Sequence, residues 1–215
     1  MNSKNGAVID ADGSTRYYVD DKLHRLDGPA IEYANGDKAY YVDDKLQRLD
    51  GPAIEYANGD KVYYVDGKLH RLDGPAIELA NGGKEYHIDG KLHRLDGPAI
   101  EFTNGGKVYY VDNTLHRLDG PAVVCASGYE EYHIDGKKVT ETELIREQKR
   151  VVREAAIALL PLQLPPYVVL WILEFSHPYV VGFNQPELMR ILYGLRNLHA
   201  AIMSSTNSCP FDQFA

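Results

Sequence analysis

"LHRLDGPAIE" occupies Leu23–Glu32 and returns word for word at Leu69–Glu78 and Leu92–Glu101. The near copies "LQRLDGPAIE" and "LHRLDGPAVV" begin at Leu46 and Leu115, so the segment recurs every 23 residues in a chain of 215. Five copies of a catalytic segment would be odd. A strict period is the mark of architecture, in which each copy buries its apolar surface only against its neighbours.

Turn signals punctuate the period. Asn-Gly stands at Asn35-Gly36, Asn58-Gly59, Asn81-Gly82 and Asn104-Gly105, with Asp12-Gly13 and Ser127-Gly128 at the ends. Asn-Gly accepts the positive φ angles that tight hairpin turns need. β-prone runs such as Ala30–Tyr33 and Lys61–Val65 flank these turns, and a second reversal follows at Asp43-Asp44 or Asp66-Gly67. Each period therefore predicts two antiparallel strands. Six hairpins give about twelve strands, which at about 4.8 Å each make a sheet roughly 55–60 Å long. The predicted fold is mainly β: an elongated single antiparallel sheet of tandem 23-residue hairpin repeats over residues 8–136.

Tyr17, Tyr40, Tyr63, Tyr86, Tyr109 and Tyr132 recur, each followed two residues later by Val or Ile. A two-residue Asn-Gly turn sets Ile31 opposite Tyr40 and puts Ile31, Tyr33, Tyr40 and Val42 on one core face. The opposite face then carries Glu32 and a variable position, occupied by Arg16, Ala39, Val62, Glu85, Val108 and Glu131, which is expected to meet solvent. Tyr18, Tyr41, Tyr64, His87, Tyr110 and His133 also fall opposite the expected core. An aromatic column on a rigid sheet suits protein recognition, and this is the candidate protein-binding set. Asp27-Gly28-Pro29 and its copies read as a bend, where Arg25 and Asp27 pair or bond local backbone.

These residues resemble a MORN-type repeat, whose pattern interleaves an Asn-Gly-Lys turn, a His-Gly-x-Gly segment and a Tyr-Ala-Asn-Gly turn. The shared elements are Asp66-Gly67-Lys68, His70, Gly74, Tyr56-Ala57-Asn58-Gly59-Asp60-Lys61 and their copies. Arg-Leu-Asp replaces the first glycine after the histidine, which is closer to the variant repeat common in bacterial and large-DNA-virus proteins. The resemblance covers about Val8–Gly136. It implies an elongated sheet used as a non-enzymatic scaffold or for protein binding, in a virus as a structural or host-interaction component.

After Ile134 the period changes. Thr140-Glu141-Thr142-Glu143 reads as a capping box, opening a helix with an apolar stripe of Leu144, Val151, Val152, Ala155 and Leu159 that Pro161 ends. A second helix is predicted from Pro165-Pro166 and a third after Asn184, with Leu188, Ile191, Leu192, Leu195, Leu198 and Ile202 on one face. Together they form a small three-helix C-terminal module over 137–204, followed by a tail, 205–215, expected to be disordered. The module is similar to the helical segments that close repeat proteins of large DNA viruses. Its Leu-Pro opening also resembles an F-box, which implies an alternative: an adaptor that recruits a ubiquitin ligase while the repeats hold a target.

Charge narrows the partners. Through Gly136 there are 15 Lys and Arg against 24 Asp and Glu, a net of −9; from Lys137 onward 8 basic and 7 acidic residues give +1. An acidic repeat region argues against nucleic acid and against an anionic membrane, leaving a protein partner or self-association. Cys125 and Cys209 lie far apart, the start lacks an apolar run, and Tyr167–Phe175 is too short to span a bilayer. A cytoplasmic protein is expected, in host cytoplasm or virion if viral. His24, His70, His93 and His116 recur about 10 Å apart, with Gln47 in the second copy, too far apart for ligands that must sit about 2 Å from one ion. No metal, cofactor or enzymatic activity is expected.

Overall fold

The computed structural model describes residues 4–159. The chain divides into two units: one holds the repeats through Lys138 apart from Leu118–Gly120, and the other joins Leu118–Gly120 to the residues from Val139 onward.

The first unit is the predicted mainly β structure. Its long antiparallel sheet follows a path of thirteen strands, opening with Gly6–Ile9 and Thr15–Val19. It continues through two-residue strands such as Ile31–Glu32, Lys38–Ala39, Ile54–Glu55 and Lys61–Val62 to Glu130–Ile134 and Lys137–Val139. Short two-stranded ladders sit beside it, for example Tyr41–Val42 with Lys45–Leu46 and Tyr64–Val65 with Lys68–Leu69. Tyr40 marks where the chain changes partner. Its N–H donates to the Ala53 carbonyl at 2.8 Å, while its own carbonyl accepts from Gln47 N–H at 3.0 Å.

The two reversals differ in kind. Asp43 and Asp44 both take positive φ, 49° and 64°, as do Asp66 and Gly67 at 50° and 73°, giving two-residue turns of type I′. The Asn-Gly reversal is a three-residue loop instead. Tyr33 N–H donates to Asp37 O and Gly36 N–H to Tyr33 O, each at 2.9 Å. Of its three residues only Gly36 takes positive φ, 92°. Ile31 therefore pairs with Ala39 and not with Tyr40.

That single-residue difference corrects the expected faces. Arg16, Ile31, Ala39, Ile54, Val62, Ile77, Glu85, Ile100, Val108, Val123 and Glu131 form one cross-strand row. Ala39 and Val62 are only 3% and 8% exposed, so the variable position belongs to the packed row, not to solvent. The tightest points are Ala30, Ala53, Ala76, Ala99 and Ala122, each 0% exposed. Their carbonyls, such as that of Ala30 with Tyr17 N–H at 2.8 Å, bind the neighbouring backbone directly, where a methyl is what fits. The alternate residues form a second row, Glu32, Lys38, Glu55, Lys61, Glu78, Lys84, Glu101 and Lys107. Opposite charges face each other there, contributing tenths of a kcal/mol up to about 1 kcal/mol per pair.

Successive repeats are tied through side chains. Asp44 Oδ1 accepts Leu23 N–H at 2.7 Å, and Asp37 Oδ1 and Asp60 Oδ1 accept Ala57 and Ala80 N–H at 2.7 and 2.6 Å.

In the second unit, helix α1 spans Glu141–Leu159. Its capping box forms as predicted: Glu143 carboxylate accepts Thr140 N–H at 2.8 Å, and Thr140 Oγ1 accepts Glu143 N–H at 3.3 Å. It is the single helix among the described residues. The two further helices and the tail expected from the sequence lie outside the described residues.

Candidate protein-interaction surface

The loop Arg-Leu-Asp-Gly-Pro is built around its arginine. The Arg48 guanidinium lies over the Tyr40 ring, 4.0 Å from its centroid. Its Nε donates to Asp50 at 2.9 Å, and one terminal nitrogen reaches Pro52 O at 3.3 Å and Glu55 at 2.6 Å. Arg25, Arg71 and Arg94 repeat every one of these contacts. The glycine is the other wall. A Cβ on Gly28, Gly51, Gly74 or Gly97 would lie 2.9–3.0 Å from the guanidinium carbon. The pairing of Arg25 with Asp27 expected from the sequence is thus present, and the guanidinium hydrogen bond holds Asp27, Asp50, Asp73 and Asp96 below the usual carboxylate range.

With the arginine turned inward, the next residue points out. Leu26, Leu49 and Leu72 are each 81% exposed and Leu95 is 73% exposed. Open hollows separate the loops. One, of about 670 Å³, lies between Leu26 and Leu49, with Tyr40, Val42 and Lys45 in its wall. Another, of about 540 Å³, lies between Leu49 and Leu72, with Tyr63, Val65 and His70. Anchored on both sides, as by Arg25 N–H to Tyr41 O at 3.1 Å, the leucines are presented with little freedom left to lose.

The aromatic column expected on the exposed face lies deeper. His87 and His133 are 7% and 8% exposed, with Nε2 on Glu85 and Glu131 at 3.0 Å, and Tyr18, Tyr41, Tyr64 and Tyr110 are half-buried. Burial pushes the Tyr41 and Tyr64 hydroxyls up, beside Tyr33 and Tyr56 respectively. The repeated histidines are fixed by the next repeat. His24, His70, His93 and His116 place Nδ1 at 3.1, 3.0, 3.2 and 2.8 Å from Asp43, Asp89, Asp112 and Asp135. Gln47 serves the same end, its Oε1 accepting Asp66 N–H at 2.6 Å. Among the described residues no group of three or more His, Cys, Asp or Glu is placed to hold a metal ion, and no helix is long and apolar enough to cross a membrane.

The leucines escaped the sequence reading, although a signal was there: they recur between an arginine and an aspartate, outside both strand and turn. No family model matches the chain, and comparison with curated proteins finds no significant similarity.

Proposed function

We propose that this protein is a non-enzymatic interaction scaffold of the kind its resemblance to MORN-type repeats implies, and that the leucine ladder is its contact surface. One observation carries this reading: four leucines, 73–81% exposed, are held in the same pose by four copies of the same arginine clamp. An exposed leucine contributes nothing to packing, whereas burying one against a partner is worth about 1.5–3 kcal/mol. A row of apolar anchors on rigid loops, with polar rims around them, is the composition of a binding surface.

The test is a comparison of full-length protein with a Leu49→Ser/Leu72→Ser variant. Co-purifying proteins are quantified by mass spectrometry and melting temperatures by circular dichroism. Recovery of a specific set of proteins should fall about tenfold in the variant while melting stays within a few degrees. An unchanged set in unchanged amounts would overturn the reading.

A further inference from the structure

Resting on the scaffold reading above, we propose that the leucine ladder receives an amphipathic α-helix with an apolar stripe and a basic flank, laid across successive repeats. The fifth copy of the loop supplies the first reason. Leu118 is half-buried where its four counterparts are 73–81% exposed, and Leu118–Gly120 belongs to the compact unit of α1. The Gln148 side-chain amide donates to the Leu118 carbonyl. Leu144, one turn earlier on the same helical face, is 2% exposed. Within that unit the helix binds the Leu118 backbone directly, and the four counterparts of this leucine stand open.

Spacing supplies the second reason. Two strands per repeat set neighbouring loops about 9.6 Å apart. Seven residues of α-helix rise about 10.5 Å, so side chains at i, i+7 and i+14 meet successive hollows with a slip of about 1 Å per step. An extended peptide covers the same distance in about three residues, which turns alternate side chains away from the surface. A helix matches the period and a strand does not.

Charge supplies the third. Beside each open leucine stands Asp27, Asp50, Asp73 or Asp96, its side chain 83–85% exposed. The repeat region through Gly136 carries the net −9 that 15 basic and 24 acidic residues give. Lysines or arginines flanking the stripe complement that field and speed encounter.

The experiment titrates the full chain into a fluorescent helical peptide of about 22 residues, Lys and Ala with leucines every seven positions. An isomer of identical composition with leucines every five positions, which scatters them around the helix, is the control. The seven-spaced peptide should bind at least about tenfold more tightly and gain helical ellipticity on binding. Leu49→Ser/Leu72→Ser should weaken it about tenfold at unchanged melting temperature. Equal binding of the two isomers, or no loss in the variant, overturns the helix proposal; the co-purification test then decides separately whether the ladder binds protein at all. A dimer seen by sedimentation in wild type and lost in the variant would make the occupant a second copy and overturn the proposal. So would amide protection within residues 160–215 that vanishes in the variant, which would make the occupant this chain.

Discussion

Arg48 joins four groups of its repeat. It stacks on Tyr40 and satisfies Asp50, Pro52 and Glu55 at once, with its side chain 23% exposed. Charge-assisted and partly shielded, such contacts outweigh ordinary surface ion pairs. Gly51 is part of this machinery, because a Cβ there would stand 3.0 Å from the guanidinium carbon. Gly51→Ala should therefore cost about 1–2 kcal/mol by displacing the arginine, and close to nothing in an Arg48→Ala background. Urea denaturation of the four proteins of that cycle measures the coupling. An equal cost in both backgrounds would assign the glycine a purely backbone role. Gln47 makes the parallel point for the histidines: its Oε1 accepts the N–H of Asp66, the turn position whose aspartate meets the histidine Nδ1 in the other copies.

At the scale of the loop, the clamp makes stability depend on acid. Asp27, Asp50 and Asp73 are held below the usual carboxylate range by hydrogen bonds from Arg25, Arg48 and Arg71. Their folded pKa values lie under the unfolded value of about 3.9, so this contribution is complete above about pH 4 and is lost as pH falls through the folded values. Melting temperature should decline below about pH 4, with a shallower decline in Asp50→Asn/Asp73→Asn. An acid limb unchanged by that pair would exclude these carboxylates as its source. The elements themselves were readable from sequence where the determinants are local. Thr140 and Glu143 cap α1 from three residues apart, and paired Asp or Gly residues announce a type I′ turn. What failed was loop length. Asn-Gly suits both a two-residue and a three-residue turn, and the choice moved Ile31 from Tyr40 to Ala39, carrying Ala39 and Val62 from solvent into the packed row. The ladder of Leu26, Leu49, Leu72 and Leu95 was hidden for a different reason. A repeated leucine reads as core until the arginine before it is seen to occupy the interior.

Across the repeat unit, side-chain ties between copies such as Asp44 to Leu23 and Asp37 to Ala57 run to the adjacent repeat, over sequence separations of 19 to 21 residues. No copy depends on a distant one. Deleting residues 48–70, one full period of 23, joins Gln47 to Arg71 and regenerates every type of contact. That protein should unfold in one cooperative step, with a denaturant slope reduced in proportion to its length. Deleting 48–69 instead leaves one extra residue in the loop where Gln47 meets His70, which disturbs the seam between the two repeats it joins; the β signal in circular dichroism should persist while unfolding shifts to lower denaturant. Two variants with indistinguishable unfolding curves would refute the nearest-neighbour picture.

The near-identity of the copies has a consequence for heredity. Segments alike through ten residues are alike in the DNA that encodes them, to within codon degeneracy. A replication slip by one such unit adds or removes a complete layer, which the neighbours accept as they accept any other. Variation in this protein is thereby channelled into whole steps of length. Each step also changes how many leucines stand in the row, so the length of the ladder is set by copy number while the chemistry of every copy is left alone.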